Sequence, residues 1–369
     1  MAEITRAPMA RVGVDLAKNV IQVHGVDAAG RKLVSKAIRR DAFLAWCAQL
    51  PSGCVVAMEA CSGAHHWARQ LRAMGLDARL IPAHFVSPYR LEGRSGKNDM
   101  TDAAAVCEAA SRPNMRFVPI KTAEQQGVMT LHRVREGLKE ERTACINRIR
   151  GVLAEFDLVF AKSPKVLRAV LVDVLEDAGN ELTGLARLVV QRAFEHWREL
   201  DEHLRWCDQQ IGAHVRASAP ARRAAKITGI GEIGASALTA SVGDFSQFKS
   251  GAQFGAWVGL VPRQNSSGGK TRLGRITKRG DDYLRTLLIQ GAKSAVMSAA
   301  KRDDPTSRWL QALVERVGWQ KACVAMANKN ARILWAVMTR EAGFDPSHVS
   351  EKPLAKCAKP PAVPEPCQA

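Results

Sequence analysis

The chain is predicted to fold as an α/β domain followed by mainly helical domains. Three observations predict this. Short apolar segments punctuated by turn residues alternate with amphipathic ones up to about residue 118; strand signals become scarce between 122 and 215; and a glycine-rich stretch restarts the pattern at 226.

Residues 12 to 38 read as a three-stranded meander, with Gly30 in "DAAGRK" at a turn. "RRDAFLAWCAQL" follows as a short amphipathic helix with Asp41 as its expected N-cap. "CVVAMEA" is a short buried strand, and "SGAHHWARQLRAMG" a helix ending at Gly75, a C-cap signal. "DARLIPA" is a further strand, and "NDMTDAAAVCEAA" opens a helix. A meander followed by alternating units is the ribonuclease-H-like order.

"VMTLHRVREGLKEERTACINRIRGVLAEF" spaces Val128, Leu131, Val134, Leu138, Ile146, Ile149 and Leu153 as one helical stripe. "LARLVVQRAFEHWRELDEHLRWCDQQIGAHV" is a second long helix; a helical hairpin, a coiled coil and a plain bundle fit the pair equally. "GIGEIGA" is similar to the hairpin of a helix-hairpin-helix, where Gly229 and Gly231 would let backbone approach a phosphate; a glycine-rich turn between packed helices is the other reading. The last segment, 346–369, is rich in proline and is expected to be disordered.

A net charge of +18 and a pI near 9.9 point to a polyanionic partner, nucleic acid by default. The nine cysteines form no Cys-x-x-Cys pair, so neither a zinc site nor a disulfide framework is expected, and His65-His66 has no companion ligands. No run of about 18 apolar residues suggests a membrane span, and no secretory signal is expected at the N-terminus. The expected location is the cytoplasm.

The meander's first strand contains an aspartate, which strand interiors disfavour. In "VGVDL", Val12 and Val14 share one face, and Gly13 and Asp15 the other. Glu59 ends the fourth strand, and Asp99 and Asp102 share one face of a helix. If the first and fourth strands are neighbours, four carboxylates from three elements converge. Alone they would repel; Mg²⁺ or Mn²⁺ relieves this, because both prefer hard oxygen ligands, and such ions serve phosphoryl transfer. Each residue also has a plainer reading, Asp99 and Asp102 as helix-capping acids above all. Actin-like ATPases and sugar kinases share the opening, but "DLAKN" lacks the small and hydroxyl residues of their phosphate loop.

The densest basic segment is Val261 to Arg285, with seven Lys or Arg and two Asp. Arg263, Lys270, Arg272, Arg275, Lys278 and Arg279 are candidate phosphate contacts. Ser266, Ser267, Gly268 and Gly269 read as a flexible element among them. A serine there could attack phosphorus or merely touch it.

With both motifs in view, the chain resembles insertion-sequence transposases of the DEDD type, the family numbered one hundred and ten with its close subgroup. "GVDLAKN", "AMEACSG", "GKNDMTDAAAV", "ITGIGEIGA" and "GLVPRQNSSGGKTRLGRITKRGDDYLR" carry the resemblance, which runs from about 11 to 340. It implies a RuvC-like nuclease domain over 1–118, long helices forming a coiled coil or bundle over 119–220, and a mainly α transposase domain over 221–345. It places an acidic, metal-binding tetrad on Asp15, Glu59, Asp99 and Asp102, and a serine nucleophile in "NSSGG", at Ser266 or its neighbour Ser267. It also implies DNA as substrate at the element ends and target, a non-coding guide RNA, and a homo-oligomer, dimer or tetramer. A RuvC-like endonuclease or junction resolvase using water, an architectural DNA binder, and a nucleotide-dependent kinase or ATPase are the alternatives.

Overall fold

The computed structural model describes residues 8–90, 98–268, 270, 272–340 and 343–345, arranged as two compact units. The first comprises Met1–Ala221 with Ala235–Gln247; the second comprises Arg222–Gly234 with Phe248–Ala369. The expected disordered tail, 346–369, lies outside the described residues.

The first unit opens with strands β1 (Arg11–Leu16), β2 (Val20–Val26) and β3 (Lys32–Arg39), the expected antiparallel meander. Next come α1 (Phe43–Cys47), β4 (Val55–Glu59), α2 (Ala64–Ala73), β5 (Asp77–Ile81), α3 (Ala83–Val86) and α4 (Asp99–Ala110). β4 pairs parallel to β1 and β5 parallel to β4, giving the sheet order β3-β2-β1-β4-β5. This mixed sheet agrees with a ribonuclease-H-like fold. Each face has its own core. Val12, Val14, Val56 and Met58 pack with Phe43, Trp67 and Leu71 on one side; Ala57 and Ile81 pack with Ala105, Val106 and Ala109 of α4 on the other.

Two caps differ from expectation. Asp41 does not cap α1: it lies inside a 3-10 turn (Arg40–Ala42) and pairs with Arg39, because the chain leaves β3 already coiling. Asn98, not an acidic residue, caps α4, its side chain accepting the Met100 N–H at 2.9 Å. Gly75 takes φ +80° just past α2, the left-handed stop that glycine permits.

Helix α5 (Ala123–Ala154) starts with a capping box, in which Thr122 and Gln125 exchange side-chain and backbone hydrogen bonds. Helices α6 (Pro164–Glu176) and α7 (Gly184–Ala217) follow. Ile146, Ile149 and Leu153 of α5 share one core with Leu167 and Leu171 of α6 and Val190, Phe194 and Trp197 of α7. Arg142 pairs with Asp201 and Arg135 with Asp208, so α5 and α7 run antiparallel, as a hairpin with α6 against it.

The remaining elements are α8 (Ala219–Ala225), α9 (Glu232–Val242), α10 (Gly251–Val258), β6 (Pro262–Gln264), β7 (Leu273–Ile276), α11 (Asp282–Ala299), α12 (Pro305–Val317) and α13 (Trp319–Thr339). Gly229, at φ +86°, lies so close to Gly291 of α11 that a side chain at either would meet the other's backbone. Asn330 of α13 closes this junction by donating to Thr228 O at 2.9 Å. In "GIGEIGA", packing thus accounts for Gly229, while Gly231 is exposed with open space around it.

Candidate active site

The first unit's acidic residues are placed by strand register. Val14 pairs with Met58, and the next positions along the parallel strands are Asp15 and Glu59. By the alternation of a strand both share the face of Gly13 and Ala57. That face is covered by α4: a side chain on Gly13 would strike Ala103 O and the Cys107 backbone, and Arg11 Nε donates to Cys107 O at 3.0 Å. Cys107 thus sits over Arg11, Ala103 over Gly13, and the first turn of α4, with Asp99 and Asp102, at the Asp15 end. Glycine precedes the aspartate because the helix needs that space.

Asp102 is buried, Asp15 and Glu59 are half-buried, and Asp99 is exposed. Burial first, then the charges of Glu59 and Asp15, push the Cys61 thiol up, consistent with both carboxylates reaching one neighbourhood. Arg90 bridges this group: its Nη2 donates to Glu59 Oε2 at 2.9 Å, and its Nε lies 2.9 Å from Asp102 Oδ1. Among the described residues no three acidic, histidine or cysteine side chains stand close enough to chelate one ion. The donors are nonetheless of the right kind, hard carboxylate oxygens on a strand-and-helix frame, and Arg90 supplies positive charge between two of them, Glu59 and Asp102. Sequence reasoning missed Arg90; its partner Glu59 is 31 positions away, and no local pattern marks it. His65 is occupied otherwise, its Nδ1 accepting the Lys121 N–H at 3.2 Å.

Ser266 and Ser267 lie in the second unit, where the expected flexible element is the connection of an antiparallel hairpin, β6–β7. Asn265 N donates to Arg272 O at 2.9 Å, Arg272 N donates to Ser266 Oγ at 3.1 Å, and Ser267 bridges to Lys270. Gly269 lies outside the described residues, as does Thr271. Both serines are exposed, and so are Arg263, Lys270, Arg272, Arg275, Lys278 and Arg279. The hairpin's base is fixed to the end of α10. Thr277 N donates to Val261 O, Lys278 N to Gly259 O, and a side chain at Gly280 would collide with Val258 backbone. Buried Arg285 donates to Val258 O and Gly280 O at 3.1 Å each. Asp281 caps α11 and Asp282 pairs with Arg285, so the segment's two acids face its base.

A DEDD transposase model matches residues 12–157, and a model described as the transposase IS116/IS110/IS902 family matches 221–307. The first match covers the acidic frame and implies dependence on a divalent cation; the second covers the serine hairpin. The chain is 46% identical to a probable family 20 transposase of Pseudomonas aeruginosa, over 92% of this chain and 99% of that protein. It is 42% identical to the transposase for insertion sequence element IS1111A of Coxiella burnetii, over 89% of this chain and 90% of that one. A transposase for insertion sequence element IS1328 of Yersinia enterocolitica is 37% identical, over 90% and 98% respectively. No described helix is long and apolar enough to cross a membrane. With relatives this similar along nearly their whole length, the chain belongs to the DEDD insertion-sequence transposases of the IS110 family.

Proposed function

We propose that this transposase cuts and rejoins DNA with two cooperating sets of residues: Asp15, Glu59, Asp99 and Asp102 as a metal-holding tetrad, and Ser266, or Ser267 beside it, as nucleophile. The register that sets Asp15 beside Glu59 under the first turn of α4 is the observation that carries the reading. The tetrad would hold Mg²⁺ or Mn²⁺, which supplies charge stabilisation at the reacting phosphate. The serine Oγ gives up its proton and bonds to phosphorus while the bond from phosphorus to one DNA oxygen breaks, and that oxygen leaves as a hydroxyl. A hydroxyl from another strand then attacks the phosphoserine, the new DNA bond forms, and Oγ regains a proton. No water is consumed, so the backbone is exchanged rather than hydrolysed.

Exposed cations around the hairpin supply phosphate contacts and screen the developing charge. The reading also includes a homo-oligomer, dimer or tetramer, supported by the family resemblance. It also includes a non-coding RNA as guide, supported by the family resemblance and the net charge of +18.

The test is a strand-exchange reaction on DNA carrying the element's ends. Asp15→Asn, Glu59→Gln, Asp99→Asn and Asp102→Asn are each expected to abolish exchange in a folded protein. Ser266→Ala is expected to keep DNA binding and lose cleavage, and denatured wild-type reactions to contain DNA joined to a peptide spanning Ser266. A link at Ser267 instead moves the nucleophile by one position. Cleavage that persists in the Ser266→Ala, Ser267→Ala double variant, with no adduct, would establish the water-using nuclease.

A further inference from the structure

Arg90 has no part in the chemistry above, yet it joins two of the four carboxylates. One guanidinium spans two carboxylates, donating from Nη2 to Glu59 and holding Nε 2.9 Å from Asp102 Oδ1. That Nε is buried and makes no hydrogen bond, so its hold on Asp102 is charge against charge. Asp102 is only 7% exposed. Two such carboxylates, brought together by a parallel strand pair and a helix, repel one another unless a cation lies between them. Arginine is always charged and presents its donors as a fork, which suits two acceptors at once, but it cannot itself ligate a metal ion.

We propose that Arg90 is the built-in counter-cation of the acidic site. It holds Glu59 and Asp102 in place in the metal-free protein, and its positive charge opposes the incoming divalent ion, so this positioning residue sets the metal affinity. The inference rests on the tetrad being the metal-holding set. Two roles for Arg90 predict opposite signs. If it only braces the carboxylates, removing it loosens the site and weakens metal binding. If it competes by charge, removing it strengthens metal binding.

Mn²⁺ binding to the full-length protein, followed by electron paramagnetic resonance, distinguishes them. Arg90→Gln is expected to bind Mn²⁺ about ten-fold more tightly than wild type. Its unfolding temperature in chelator should fall below wild type and recover with Mn²⁺. Arg90→Lys keeps the charge and is expected to bind Mn²⁺ within about two-fold of wild type, since the opposing charge is what sets the affinity. Equal or weaker binding by Arg90→Gln, with binding lost in Asp102→Asn, overturns the proposal and leaves the metal reading standing. Wild type that binds no Mn²⁺, or Asp15→Asn and Asp102→Asn that bind it as wild type does, overturns both. Should Arg90→Gln fold only with Mn²⁺ present, that supports the proposal. Should it not fold at all, Arg90→Lys decides: retained affinity supports the counter-charge, and lost affinity overturns it.

Discussion

His132 is fully buried in α5, yet carries a titratable ring. Its Nε2 lies 2.9 Å from Ser236 Oγ of α9, and His214 Nδ1 of α7 lies 3.0 Å from the same oxygen. One hydroxyl can donate to one ring and accept from the other, so two neutral imidazoles of complementary tautomer satisfy it. Burial first, then Arg135 and His214, push the His132 pKa down to about 4. The unfolded chain takes up this proton near 6.5, the folded chain only near 4, so protons favour unfolding in between. Stability from this residue is full above about pH 6.5 and falls as the pH drops toward 4, by about 3 kcal/mol in all. Urea melts between pH 7 and 4.5 check this, and His132→Gln should flatten the fall. Ser236→Ala removes the hydroxyl shared by the buried His132 ring and the half-buried His214 ring and is expected to cost about 1–3 kcal/mol at neutral pH. Gly13→Ala tests the helix over the acidic strand. The new methyl meets Ala103 O and Cys107, so about 1–3 kcal/mol of stability and most of the strand-exchange activity should be lost together.

At the level of elements, what could be read in advance was whatever a short window contains. β1 to β5, α2, α5 and α7 show strand or helix periodicity, and the division of Val12 and Val14 from Gly13 and Asp15 follows from strand alternation alone. The hairpin β6–β7 was not legible. Its strands are short, exposed and rich in arginine, so they bury no apolar face that would mark them; only their pairing defines them. Arg90 was hidden for a related reason, since its partners come from other elements. That hairpin also makes a prediction. Gly280→Ala drives a methyl into the Val258 backbone, which should displace the hairpin's base, cost about 1–3 kcal/mol and abolish cleavage, while Gly268→Ala at the exposed tip meets no atom and strains only its positive φ. Thermal melts and cleavage assays on the two variants should separate strongly.

Across the whole molecule the net charge of +18 governs long-range attraction to nucleic acid. Each phosphate contact steepens the decline of affinity with salt by about 0.9 in the log-log slope on duplex DNA. Neutralising Arg263, Lys270 and Arg272 together should reduce that slope by roughly 2 to 3, measured by filter binding from low to moderate salt. An unchanged slope would locate the phosphate contacts elsewhere.

The path of the chain through its two units has a consequence for inheritance. The chain leaves the first unit after Ala221, returns for Ala235–Gln247, and leaves again. The returning piece carries Ser236, on which His132 and His214 both depend. A recombination event joining the front of one such gene to the back of another at a single point near 221 would hand the first unit a stranger's version of that piece. Chimaeras built this way should therefore melt below both parents, while those that also keep their own 235–247 should not. The two halves of this protein are stitched, and relatives can exchange them intact only by three crossovers, near 221, 234 and 247.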